Sequence, residues 1–150
     1  FMNIELSSNE LENLSKRFSE IVFSEIIKCD YIPGALNFLE KYYKKIQFFI
    51  SSATPQSELS KIIKERKINK YFDKIYGSPA SKINHIQKII SFYKIKEEDI
   101  IYIGDSKSDK IAAESSNIKF IGIINKYEKF KNSLYKYNNF IDIEKNIKFI

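Results

Sequence analysis

"IIYIGDSKSDKIAAESSNIKFIGI", Ile100–Ile123, decides how this chain is read. A short apolar run ends at Gly104, two aspartates follow at Asp105 and Asp109, and a helical pattern begins at once. Two carboxylates at the end of a buried strand are costly unless something positive sits beside them. One explanation is purely structural: Asp105 caps the next helix and Asp109 complements its dipole. The other is a site that handles a cation.

Working outward, the same alternation recurs on both sides. Residues 35–45 have helical spacing, and "IQFFIS" (46–51) is a buried strand. Residues 56–67 are a helix, "KIYGS" (74–78) a strand and 82–93 a helix. "DIIYIG" (99–104) is a strand, 106–116 a helix and "KFIGII" (119–124) a strand. A short strand at "FID" and a helix from Ile143 close the chain. Ahead of all this, Ser7 and Glu10 form a capping-box pattern. Leu11, Leu14, Phe18, Ile21, Val22 and Ile26 then make a long amphipathic helix that stops near Cys29, where "DYIPG" breaks it. Strands alternating with helices predict an α/β fold, a Rossmann-like parallel sheet with helices on both faces.

The bulk properties narrow the function. At 150 residues, 43% hydrophobic and 29% charged, the chain fits one globular domain with a sizeable core. It holds no apolar run near the roughly 20 residues of a membrane span and no signal-peptide pattern. The single cysteine, Cys29, has no internal partner and reads as a partly buried structural thiol. A reducing, cytoplasmic setting is expected. The formal charge of +6 invites a nucleic-acid role. Its carriers are nearly all lysines spread among glutamates, however, and arginine is almost absent, which argues against one. The Lys- and Tyr-rich stretch 126–137 reads as a solvated connection, and His85, the lone histidine, as a half-exposed helix residue.

Ligands of open parallel sheets sit beyond the carboxyl ends of the strands. That rim carries Ser52, Ala53 and Thr54 ahead of a helix opened by Pro55, then Lys82 at a helix start, then Asp105 and Asp109. A hydroxyl and free amides at a helix start suit an anion. A lysine suits a phosphate oxygen, and hard carboxylate oxygens suit Mg²⁺. Together they describe phosphoryl transfer, which is mostly positioning and charge neutralisation.

The stretches "FFISSATP", "GSPASK" and "IIYIGDSKSDKIAAESSNIKFIGI" resemble the second, third and fourth motifs of the haloacid dehalogenase superfamily of phosphohydrolases. The likeness runs from about Tyr31 to Ile124 and is nearest the phosphoglycolate phosphatase-like and phosphoglucomutase-like branch. There, "YIPGALNFLEKY" matches the return from a helical cap into the core. By that resemblance Ser52, with Ala53 and Thr54, would bind the transferring phosphate, and Lys82 would neutralise it. Asp105 would hold Mg²⁺, and Asp109 would support the metal site and Lys82. Residues 1–30 would end the cap, a mobile lid, and residues 31–150 would form the core. The substrate implied is a small phosphorylated metabolite, with hydrolysis commoner than mutase chemistry.

The resemblance also implies a central first strand ending in Asp-x-Asp, whose first carboxylate is the nucleophile. "NIE" (Asn3, Glu5), "KCDYIPG" (Asp30) and "FIDIE" (Asp142, Glu144) do not supply it. The expectation is a core lacking strand one, with that strand provided by an upstream segment or a second chain, and a chain inactive alone. The alternative is a non-catalytic module of similar or receiver-like fold, used for binding or regulation.

Overall fold

A computed structural model describes residues 7–148. Its order is α1 (Ser8–Lys28), α2 (Ala35–Tyr42), β1 (Phe49–Pro55), α3 (Gln56–Glu65), β2 (Lys74–Ser78), α4 (Lys82–Tyr93), β3 (Ile101–Gly104), α5 (Lys107–Ser115), β4 (Lys119–Ile123), β5 (Lys136–Tyr137) and α6 (Phe140–Asn146). Every described strand pair is parallel. The strands form two ladders, β1–β2 and β3–β4–β5, and β1 does not pair with β3. The second edges of β1 and β3 are therefore unpaired among the described residues.

Alternation along the strands sorts the helices onto two faces. On one face Phe49 meets Tyr93 of α4, and Tyr76 stacks on His85 of the same helix. Tyr102 and Phe120 face Ile86 of α4 and Ala112 and Ala113 of α5 there too. On the other face Ile50 and Ile75 pack under α2 and α3, against Leu59 and Ile63. Ile101, Ile103, Ile121 and Ile123 pack under Ile143 of α6. Ile121 and Ile143 are wholly buried, and each such side chain contributes about 1.5–3 kcal/mol relative to exposure. Helices thus cover both faces of parallel strands, as the alternation predicted.

Side chains of the flanking helices join the two ladders. On one face α4 packs on α5. On the other, Phe38 of α2 meets Phe140 of α6, Glu144 accepts from the Tyr42 hydroxyl at 3.1 Å, and Lys41 pairs with Glu144.

Helix α1 begins with the expected capping box: the Glu10 amide donates to Ser7 Oγ at 3.4 Å, and Glu10 Oε2 accepts from the Ser7 amide at 2.9 Å. Its stripe of Leu11, Leu14, Phe18 and Ile21 is exposed, and none of its residues is buried. Arg66, just past α3, holds its far end. Arg66 Nη1 donates to the carbonyls of Ile26, Ile27 and Cys29 at 2.5, 3.2 and 2.8 Å. These are carbonyls of a helix C-terminus and its cap, where a cation is favoured.

Several expectations are corrected. "FID" is no strand: Asn139 caps α6 by accepting from the Asp142 amide at 2.9 Å, so the helix starts at Phe140 and the last strand is Lys136–Tyr137. Cys29 is exposed rather than partly buried, because it lies at the C-cap of α1. His85 is buried, not half-exposed. The 126–137 stretch is solvated at Tyr127 and Leu134 but anchored at Phe130, which is 3% exposed. A Cβ on Gly122 would lie 2.5 Å from the Phe130 ring, so the missing side chain makes room for it. Asn3 and Glu5 lie outside the described residues.

Candidate active site

The turn from β3 into α5 is built around Asp109. A Cβ on Gly104 would lie 2.4 Å from the Asp109 Cβ, so only glycine lets that side chain fold back over the strand end. Ser106, not Asp105, caps α5. Its Oγ accepts from the Asp109 amide at 3.3 Å and donates to Asp109 Oδ2 at 2.6 Å, while its own amide donates to Oδ2 at 3.0 Å. Asp109 Oδ1 accepts from Lys82 Nζ at 2.6 Å and from the Tyr102 hydroxyl at 3.0 Å. Four donors therefore meet a carboxylate with about four acceptor positions.

Burial raises the Asp109 pKa, but hydrogen bonds from Lys82, Ser106 and Tyr102 and the Lys82 charge outweigh it, and the group stays below its usual value. Tyr102 is pushed strongly upward, first by burial and then by the neighbouring carboxylates of Asp109 and Asp105, with Ser51 opposing. It remains a hydrogen-bond donor at any physiological pH.

Lys82 opens α4, which Ser81 caps by accepting from the Asn84 amide at 3.2 Å. Besides Asp109, Lys82 Nζ donates to Ser108 Oγ at 3.2 Å. The ammonium is thus held at the first turns of two neighbouring helices, α4 and α5.

Because Ser106 does the capping, Asp105 is released from it. Asp105 is exposed, and no described residue donates to its carboxylate. Its carbonyl is braced instead: Asn125 Nδ2, just past β4, donates to it at 2.8 Å. Asn125 Oδ1 accepts from the amides of Tyr127 and Glu128 at 2.7 and 2.8 Å, which fixes the bracing loop.

At the end of β1 the register with β2 breaks between Ser51 and Pro55. Ser52 Oγ donates to Thr54 Oγ1 at 3.0 Å and accepts from the Thr54 amide at 3.1 Å, and Ala53 between them is exposed. These bonds close a side-chain turn over Ser52, Ala53 and Thr54 within the irregular last part of β1, which runs from Phe49 to Pro55 and does not end at Ser51 as the sequence predicted. The structure joins Lys82 directly to Asp109, with Asp105 on the same α5 turn. The Ser52 turn makes no hydrogen bond to them. Its connection runs through Ser51, the last residue of the strand predicted at 46–51 and so part of the expected rim, whose Oγ lies 2.9 Å from His85 Nδ1, and through Tyr102, which sequence reasoning missed. A tyrosine interrupting an otherwise apolar strand was the available signal.

Among the described residues no three His, Cys, Asp or Glu side chains gather where a metal ion could be held. No described helix is long and apolar enough to cross a membrane.

A strand-end hydroxyl turn, a lysine at a helix start and a Gly-Asp turn into a capped helix thus stand together on one α/β frame. The chain belongs to the haloacid dehalogenase-like hydrolases, whose family model matches residues 2–123. It is 31% identical over 126 residues to a phosphorylated carbohydrates phosphatase of Thermotoga maritima, an alignment covering 75% of this chain and 56% of that protein. The chain thus spans little more than half of that relative's length. Its fold is similar to a predicted phosphoglycolate phosphatase of Haemophilus somnus (TM-score 0.81, 19% identity, 94% of this chain and 68% of that one). It is also similar to a candidate β-phosphoglucomutase of Thermotoga maritima (TM-score 0.77, 21% identity, 97% and 73%).

Proposed function

We propose that this chain is the larger part of a Mg²⁺-dependent phosphomonoester hydrolase acting on small phosphorylated metabolites, sugar phosphates foremost. The observation that carries this reading is the Lys82–Asp109 pair, 2.6 Å long and largely buried, aimed from two helix starts at one rim. A structural ion pair needs no such place, whereas a phosphate-neutralising lysine does. The sugar-phosphate preference rests on the Thermotoga maritima phosphatase.

On this reading the Ser52 hydroxyl and the Ala53–Thr54 backbone take the phosphate oxygens, and Lys82 neutralises them. Asp109 orients Lys82: its acceptor positions are taken, which leaves Asp105 as the carboxylate for the metal. One free carboxylate fits Mg²⁺, which binds through one or two carboxylates with water and substrate phosphate filling the rest. When bound, Mg²⁺ would neutralise charge on the transferring phosphate. Residues 1–30 are assigned to a helical lid and 31–150 to the core. The attacking carboxylate belongs to a strand that would lie between β1 and β3, each of which has one edge unpaired among the described residues. An upstream segment of a longer protein or a second chain provides it. A cytoplasmic setting is part of the same proposal and rests on the lone, exposed Cys29.

The test is a longer chain carrying an Asp-x-Asp strand ahead of these residues, assayed for phosphate release from a panel of sugar phosphates with and without Mg²⁺. Mg²⁺-dependent release is expected, with Asp105→Asn lowering it by about 100-fold or more. No Mg²⁺-dependent release across the panel refutes the hydrolase reading and favours a binding module. The 150 residues alone should release none. A clear rate from them would overturn the placement of the nucleophile.

A further inference from the structure

His85 is the only histidine of the chain, and it is 1% exposed. It lies on α4 three residues after Lys82, on the same helix face. Both ring nitrogens are engaged: Nε2 lies 3.1 Å from the Gly77 carbonyl of β2, and Nδ1 lies 2.9 Å from Ser51 Oγ of β1. A carbonyl only accepts, so Nε2 carries the proton and Nδ1 accepts from the Ser51 hydroxyl. The Tyr76 ring stacks on the imidazole, centroids 5.5 Å apart and 24° between planes. Ser51 immediately precedes Ser52, where the β1–β2 register breaks. A fully satisfied polar contact of this kind, inside an apolar layer, fixes geometry more than it adds stability.

We propose that His85, as the Nε2–H tautomer, is a positioning residue for phosphate binding: it holds Ser51 and thereby sets the Ser52–Thr54 turn at a fixed offset from Lys82. The inference rests on the phosphohydrolase reading. One helix then indexes both the lysine that neutralises a phosphate and the turn that receives it. Protonation would make Nδ1 a donor, so the Ser51 hydroxyl would have to rotate and accept. Burial lowers the His85 pKa, aided by the Lys88 and Lys82 charges. Those two lysines belong to α4, β2 presents Tyr76 and the Gly77 carbonyl, and β1 presents Ser51, with Tyr102 of β3 behind it.

A lone histidine gives one imidazole signal, so ¹H–¹⁵N correlation of the intact chain reads tautomer and titration without any variant. The expected result is a single Nε2–H tautomer at pH 7–8 and a midpoint below the ordinary 6.5. An Nδ1–H or mixed tautomer, or a midpoint at or above 6.5, overturns the proposal. Inorganic phosphate, followed at the amides of residues 52–54, supplies the second readout. His85→Gln keeps a donor near Nε2 for Gly77 but places no acceptor at the Nδ1 position for Ser51. It and Ser51→Ala should each weaken phosphate binding about tenfold, the scale of one hydrogen bond. The double variant should be no weaker than either single one. His85→Asn, which restores an acceptor for Ser51, should recover most of the loss. Wild-type binding that is indifferent to His85→Gln overturns this inference and leaves the phosphohydrolase reading standing. Absence of phosphate binding in the wild-type chain, with the tautomer as expected, overturns the reading beneath it and this inference with it.

Discussion

Replacing Lys82 with methionine removes an ammonium and keeps much of the side-chain volume. Its partner, Asp109, has a side chain only 7% exposed, and that of Lys82 is 18% exposed. Removing one member of a buried pair strands the other charge at a cost of about 3–5 kcal/mol. Here the carboxylate keeps three of its donors, the Ser106 amide, Ser106 Oγ and the Tyr102 hydroxyl. The expected loss is therefore about 2–3 kcal/mol at neutral pH. Its pH dependence follows from sign. Native Asp109 titrates below its ordinary 3.8, so its stabilisation is present above 3.8 and is lost as pH falls through the lower folded value. Without Lys82, burial is the leading influence left and pushes the carboxyl upward. Protonation then relieves the stranded charge, and the gap between variant and parent narrows toward acid pH. Urea unfolding monitored by circular dichroism from pH 7 down to pH 4 measures both quantities. Lys82→Met/Asp109→Asn should be no less stable than Lys82→Met alone. A loss below about 0.5 kcal/mol, of the kind exposed pairs give, with no pH dependence, would refute the assignment of this pair as a buried, coupled unit.

Gly104→Ala should cost about 2–4 kcal/mol, because its Cβ would lie 2.4 Å from the Asp109 Cβ and must expel that side chain. Thermal melts measure the loss, and a variant as stable as its parent would show that the turn relaxes freely. Arg66→Leu withdraws one cation from three carbonyls at the end of α1 and should cost about 1–2 kcal/mol. Amide exchange over the last turn of α1 should quicken while exchange in β4 does not, and unchanged protection of α1 would refute the clasp.

What the sequence made legible follows from which forces are local. The capping box of α1 and the apolar runs of β3 and β4 depend on neighbours in the chain, and they were read correctly. Lys82 and Asp109 could be named because strand ends of parallel sheets collect on one rim. Their direct bond joins residues 27 apart in sequence, so spacing did not give it, and only the family resemblance implied that Asp109 supports Lys82. Asp105 and Ser106 compete for one cap, and only the geometry around Gly104 shows that the serine takes it. His85 misled because burial is a tertiary property: its helix face is polar at Lys82 and apolar at Ile86 and Ile89, and sequence alone did not place the ring between Ser51 and Gly77. "FID" was misread for the opposite reason, a local one: Asn139 outweighs the apolar run as a helix start.

The two ladders share no backbone hydrogen bond among the described residues. Their cooperativity therefore passes mainly through side chains of the helices, the α4–α5 contacts on one face and the α2–α6 contacts on the other, where one backbone bond, from the Phe140 amide to the Pro33 carbonyl at 3.0 Å, adds to them. A sheet continuous in its hydrogen bonds opens as one unit, whereas halves riveted by side chains can open one at a time. Native-state exchange of this chain should accordingly resolve two protection plateaus, β1 and β2 sharing one and β3 to β5 the other. Weakening the α4 rivet at Lys82 should drive the plateaus further apart.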